Sequence, residues 1–148
     1  MAGDFVPDSF VAPTGFEGEG FHLEPLGPEH NARDHEAWMS SIDHIRATPG
    51  FADWDWPVPM SLEANRKDLE VHARDFRERK GFTYSILDGD DVIGCIYIYP
   101  PRTQGTDASV RSWVRTSRAE MDPFVWRSMS MWLTTEWPFV HLDYAPRG

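Results

Sequence analysis

From Phe82 to Tyr144 the apolar positions alternate, pause and change period in an order that predicts strand, turn, strand, loop, strand, helix, strand. Phe82–Leu87 and Val92–Tyr99 flank Asp88-Gly89-Asp90-Asp91, and Asp-Gly between two apolar runs predicts a hairpin. Ala108–Arg115 predicts a third strand. The period then lengthens to that of a helix, with Val125, Met129, Trp132 and Leu133 on one face. Asp122 and Pro123 fit the N-cap and first helical position, and Trp137-Pro138 stops the helix after about Glu136. Phe139–Tyr144 returns as a strand.

The first half is less regular. Phe21–Leu26 alternates weakly and predicts a strand ended by Gly27-Pro28. Glu29–Ile45 reads as one helix with Trp38, Ile42 and Ile45 on a stripe. Thr48–Pro59 breaks the period with prolines and carries Trp54 and Trp56. Ser61 then caps a helix running to about Lys80, whose buried face is expected to be Leu62, Leu69, Ala73 and Phe76, with Gly81 as its stop. Met1–Gly20 predicts an extended arm, yet Phe5, Val6, Phe10, Val11 and Phe16 are too apolar for a solvated tail, so the arm should lie on its own domain or on a partner chain. The division expected is an arm over 1–20 and one domain over 21–148.

Composition narrows the function classes. At 148 residues the chain suits a single domain with a real core. A formal net charge of −10 argues against phosphate backbones and hence against nucleic acid; the densest basic run, Arg74–Lys80, contains Asp75 and Glu78 and reads as a solvated helix face. Cys95 is the sole cysteine, which precludes an internal disulfide, and its apolar neighbours make it a small buried hydrophobe. The acidic start resembles no secretion signal, and no apolar run approaches the ~20 residues of a membrane span. No membrane association and a cytoplasmic location are expected.

With Ile93-Gly-Cys-Ile-Tyr-Ile-Tyr99 ahead of Asp107-Ala-Ser-Val-Arg-Ser-Trp-Val-Arg115, the order of elements from about Phe21 onward resembles the GCN5-related N-acetyltransferase family. The resemblance implies an α/β fold of the acyl-CoA N-acyltransferase type: a mixed, mostly antiparallel central sheet with flanking helices. It implies acetyl-CoA as co-substrate, held between the Ala108–Arg115 and Phe139–Tyr144 strands with its diphosphate at the helix start in 116–123. Trp113, Val114, Arg115, Thr116, Ser117 and Arg118 are then the cofactor-binding candidates, with a main-chain N–H near Trp113 or Val114 polarising the thioester. The function implied is acyl transfer to an amine of a small molecule or peptide; the alternative is a catalytically degenerate domain that binds a ligand or protein.

Two departures from the family pattern stand out. The glycine positions of its diphosphate loop hold Arg118 and Glu120, Asp122 as N-cap would bring negative charge to the same place, and Pro123 removes a donor. Arg115 and Arg118 could pair with phosphates, or simply with Glu120 and Asp122. The chain also reaches Gly148 without the further helix and strand pair usual in the family, so a shortened C-terminus is expected; the edge this leaves could be covered in a homodimer, through the arm or the last strand.

The candidate acceptor residues are Trp54 and Trp56, with Tyr97 and Tyr99. Two indoles around Asp55 could hold a cationic or flat ligand, or could plug the core. Asp143, Tyr97 and Tyr99 are conceivable acid–base groups, but no spacing fixes a pair, and Tyr144 does not occupy the family's acid position. His30 and His35 lie five apart, which separates their directions on a helix, and the remaining histidines are isolated; no metal is expected. Asp34 could join His30 at i, i+4, though an exposed helix pair accounts for the spacing.

Overall fold

The computed structural model describes residues 5–147. Met1–Asp4 of the expected arm, and Gly148, lie outside the described residues. Strands β1 (Phe16–Glu17), β2 (His22–Pro25), β3 (Phe82–Asp88), β4 (Asp91–Tyr99), β5 (Ala108–Val114) and β6 (Leu142–Tyr144) form one sheet in sequence order. Every neighbouring pair is antiparallel except β5 and β6, which run parallel. A parallel pair needs a crossover, and helix α4 (Asp122–Thr135) supplies it. The chain is thus α/β with the mixed, mostly antiparallel sheet that the strand order implies.

Strand alternation sorts the side chains onto two faces. Tyr84, Ile86, Ile96, Ile98 and Val110 pack with Val125, Met129 and Leu133 of α4. Leu87, Cys95, Tyr97 and Trp113 pack on the other face with Ala37, Trp38, Ile45 and Leu69, which come from α1 (Asn31–Met39), α2 (Ile42–Arg46) and α3 (Leu62–Arg77). Cys95 is wholly buried there, and burial pushes its thiol well up.

Four expectations are corrected. The Glu29–Ile45 helix begins as a 3-10 turn over Pro28–His30 and breaks between α1 and α2, because Ser40 Oγ bonds back to Ala37 O and Ser41 leaves helical geometry at φ −133, ψ 20. Ser61 caps α3 as expected, accepting the Ala64 N–H at 3.0 Å, but Leu62 is exposed and the inward face begins at Asn65. Beyond α3 the left-handed residue is Arg79, at φ 62, while Gly81 is required because a Cβ there would run into the Tyr99 ring. Finally, β6 starts at Leu142 rather than Phe139: the Phe139 ring stacks with Trp137 at 5.7 Å, and Asp107 Oδ2 holds the Val140 and His141 N–H groups in a turn at 2.8 and 2.9 Å.

The arm lies on its own domain. Phe5 stacks on Phe139 at 5.5 Å, Phe10 meets Trp137 at 4.9 Å, and Tyr84 donates to Pro13 O at 2.5 Å. The Arg79 guanidinium donates to Phe10 O and Pro7 O, both at 2.7 Å. The arm reaches the sheet at β1, the edge opposite β6, so it does not cover the β6 edge within the chain. Among the described residues no helix is long and apolar enough to cross a membrane.

At the centre of the sheet β4 carries one extra residue against β3: Ile86 faces Gly94 and Leu87 faces Val92. A Cβ on Gly94 would enter the van der Waals shell of the Trp113 carbonyl oxygen, so the close approach of β5 requires glycine. Gly94→Ala should therefore destabilise the protein by about 2 kcal/mol or more, read as a lowered denaturation midpoint; an unchanged midpoint would contradict this account of the β4–β5 seam.

Candidate functional site

The helical cover over β4 and β5 is incomplete. Between α1, α3 and the loop before α3 a cavity of about 420 Å³ opens onto the sheet. The two indoles of that loop face Tyr97, Trp54 at 5.6 Å and Trp56 at 6.3 Å between ring centres. Trp38 closes the inner wall 5.2 Å from Trp56. The structure thus brings Trp54, Trp56, Tyr97 and Tyr99, widely separated in sequence, around one space. The indoles also pack on Phe51 and Trp113, so they serve at once as core and as wall.

The polar groups of this cavity were not identifiable as site residues from spacing. Asp34 is buried, contrary to the exposed helix pair expected. Its supposed partner His30 is turned to Glu24, 2.8 Å from Nε2 to Oε1, while Asp34 Oδ2 accepts from Asn65 Nδ2 at 3.1 Å. Burial pushes the Asp34 carboxyl up to about 6, against the Asn65 hydrogen bond and the charges of His30 and His35, which pull it down. Asn65 also donates to Asn31 Oδ1 at 2.8 Å and accepts from Trp38 Nε1 at 3.1 Å. Asp68, His72, Arg102, Ser109 and Arg111 add to the polar lining. Burial lowers the His72 imidazole, and its Nδ1 lies 3.0 Å from Tyr99 Oη and 3.1 Å from Thr83 Oγ1.

The tyrosines are poor proton acceptors. Tyr97 receives the Trp113 indole N–H at 2.9 Å, and burial raises its hydroxyl well above the ordinary range. Tyr99 donates to Asp75 at 3.0 Å, and its hydroxyl is likewise raised, by burial first. Tyr144 lies 2.5 Å from Ser112 Oγ, and Asp143 accepts from Thr103. Asp34 is the buried carboxylate that faces the cavity.

The cofactor-binding candidates occupy a different place. Arg115 N–H donates to Ile93 O at 2.7 Å, so odd positions of β5 face β4 and the even ones, Ser112 and Val114, turn their main-chain groups away from it. The N–H available on that open side is Val114's, while Trp113 lies in the ladder opposite Cys95. Because β6 pairs only with Ala108–Val110, a gap follows along β5, and Arg147 fills it. Its guanidinium donates to Ser112 O and Ala145 O, both at 2.6 Å, and to Asp122 Oδ2 at 2.7 Å.

Asp122 is the first residue of α4 rather than its N-cap, which is Met121; its carboxylate turns to Arg147 instead of the helix N–H groups. Residues Thr116–Met121 form a 3-10 turn that uses its own donors: Arg118 N–H bonds to Arg115 O and Asp122 N–H to Ala119 O, while Thr116 N–H bonds to Ser41 Oγ at 2.9 Å. The arginines pair neither with Glu120 nor with Asp122. Arg115 meets Glu36 at 2.6 Å and Arg118 meets Asp88 at 2.9 Å. In this arrangement a diphosphate of acetyl-CoA would have to displace existing contacts: the Thr116, Arg118 and Asp122 amides are used, Arg115 and Arg118 are paired with carboxylates, and Asp122 Oδ1 is buried without a hydrogen-bond partner. Among the described residues no group of three or more His, Cys, Asp or Glu side chains is arranged to hold a metal ion.

No family model and no curated protein matches the chain. Solved structures do. A microcin C7 self-immunity acetyltransferase, MccE, in complex with acetyl-CoA and AMP superposes with a TM-score of 0.62 at 12% identity, over 83% of this chain and 66% of that one. RimL, a ribosomal L7/L12 alpha-N-protein acetyltransferase in complex with coenzyme A, gives 0.60 at 15% identity over 81% and 66%. A ribosomal-protein-S5-alanine acetyltransferase from Vibrio fischeri gives 0.59 at 12% over 82% and 68%. The chain spans about two thirds of the length of these neighbours. It has the acyl-CoA N-acyltransferase fold, the fold of the GCN5-related N-acetyltransferases.

A carboxyl that holds its proton to about pH 6, against an ordinary value of 3.8, gives the folded chain the greater proton affinity. Stability therefore falls as pH rises through that window and stays lowered above it. D34N has nothing to ionise there, and His30, His35, Asp68, His72, Cys95 and Tyr97, the titratable groups around it, are common to both proteins. The midpoint difference should shift toward D34N by roughly 5 °C between about pH 4 and pH 7. A difference constant with pH would contradict the placement of this carboxyl.

Proposed function

We propose that the protein is an N-acyltransferase whose acceptor, a small organic amine or the amine of a peptide, binds as its ammonium ion in the aromatic cavity, with acetyl-CoA as acyl donor. The observation that carries this reading is the buried Asp34 carboxylate in a space walled by Trp38, Trp54, Trp56 and Tyr97. A carboxylate offers charge-assisted hydrogen bonds to an ammonium group, and indole faces add cation–π attraction. An amine must lose a proton before its nitrogen can attack, and a carboxyl near pH 6 is well placed to accept it. The fold shared with acetyltransferases supports acyl transfer as the reaction.

A second reading, amine binding without transfer, is favoured by one observation: the gap along β5 is filled by Arg147. The two are separated by incubating the protein with acetyl-CoA and a panel of primary amines and following the products by mass spectrometry. The transferase reading expects an N-acetylated product that falls at least tenfold in D34N. Saturable amine binding with no acetylated product supports the binding reading instead.

Amine affinity should also rise as pH is raised through about 6, because only the ionised Asp34 attracts the ammonium, and the rise should vanish in D34N. Titration calorimetry with benzylamine measures both. An affinity independent of pH would overturn the role given to Asp34.

A further inference from the structure

The cavity is electrically polarised. Asp34 and Asp68 join its lining from α1 and α3, Arg111 from β5 and Arg102 from the loop before it, so the acids come from the helices and the cations from the sheet side. The Arg111 guanidinium lies over the Trp54 ring at 4.3 Å and donates through Nε to Gly50 O at 2.6 Å. Among the described residues its two Nη groups have no hydrogen-bond partner, and Arg102 has none at all. Burial and the like charge of Arg102 both disfavour the Arg111 cation, the signature of two guanidinium groups close enough to repel each other. Asp53 and Asp143 favour that cation and share with Arg102 and Arg111 the lining of an adjoining cavity of about 370 Å³, though among the described residues neither is within ion-pair distance of either guanidinium. Two under-neutralised cations at the rim of an aromatic cavity make an anion site.

Resting on the amine reading above, we infer that the ligand of this cavity is bifunctional, a flat amine carrying a carboxylate at the end remote from its ammonium group, with the ammonium at Asp34 and the carboxylate at Arg102 and Arg111. The aromatic walls hold the apolar body between the charges, and contacts connect the two along the lining: Arg111 on Trp54, Trp54 on Tyr97, Tyr97 on Trp56, Trp56 on Trp38, and Trp38 through Asn65 to Asp34. A space of about 420 Å³ suits one substituted ring or a short chain of similar bulk.

The test is titration calorimetry of the intact protein with 4-(aminomethyl)benzoate, benzylamine and 4-methylbenzoate. The bifunctional compound should bind roughly tenfold or more tightly than benzylamine, 4-methylbenzoate should bind weakest, and R102Q and R111Q should each shrink the ratio of the two amine affinities toward one. R102Q, at an exposed position, keeps the test decisive if R111Q fails to fold. Equal binding of the two amines, or a ratio untouched by both substitutions, would overturn the inference while leaving the amine reading standing. Loss of benzylamine binding itself would overturn both, and is recognised because benzylamine carries no anion.

Discussion

The structure turns on a single side-chain amide. Asn65 enters the seam between α1 and α3, takes the Trp38 indole N–H on its oxygen, and gives its nitrogen protons to Asn31 and Asp34; Asn31 continues the chain to Leu62 O at 3.1 Å. Two helices that would otherwise close on one another through apolar contacts are instead joined by a saturated polar network, which fixes one spacing and one orientation. The cavity exists because this seam is polar: Trp38 and Asp34 are held at its wall, and the loop carrying Trp54 and Trp56 closes over what the helices leave uncovered. Burying a carboxylate costs free energy, visible in the upward displacement of Asp34, and such a cost is usual where a group is retained for what it binds.

The two faces of the sheet contrast. The α4 face is filled by aliphatic and aromatic side chains and sealed by the arm, which Arg79 and Tyr84 tether through main-chain carbonyls. The α1–α3 face is left partly open and lined with charge. At the β5–β6 gap, Arg147 joins main-chain oxygen and the Asp122 carboxylate in one buried cluster. Breaking such a cluster leaves uncompensated charge, so any ligand entering there must replace what the guanidinium supplies. The α1–α3 cavity and the β5–β6 gap therefore stand in different states within one chain: one formed and open, the other closed upon itself.

The sheet could be read from the sequence because its signals are local. Asp88-Gly89, the apolar runs around it and the capping hydroxyl of Ser61 specify their neighbours within a few residues. Trp54, Trp56, Tyr97 and Tyr99 stand as candidates only through the family resemblance, with a core plug as the other reading of the indoles; that they line one cavity depends on the folded packing. What could not be read depends on partners far along the chain. Asp34 looks like a solvent-facing helix acid until Asn65, 31 residues away, gives it a buried partner. Asp122 has the sequence of an N-cap, but Arg147, 25 residues later, takes its carboxylate. Arg115 and Arg118 find Glu36 and Asp88 on other elements rather than the acids beside them, and Phe139 looks like strand only until its ring is seen in the core with Phe5 and Trp137. In each case a tertiary contact outweighed a local preference that was itself sound.

The account rests on Asp34 being a buried carboxylate that faces an amine-binding space, and carboxyl-carbon NMR of the selectively labelled protein measures this directly. The resonance of Asp34 should titrate near pH 6 in the free protein, and its midpoint should fall when benzylamine is added, because the bound ammonium favours the ionised form. A midpoint at the ordinary aspartate value, unmoved by the amine, would contradict it.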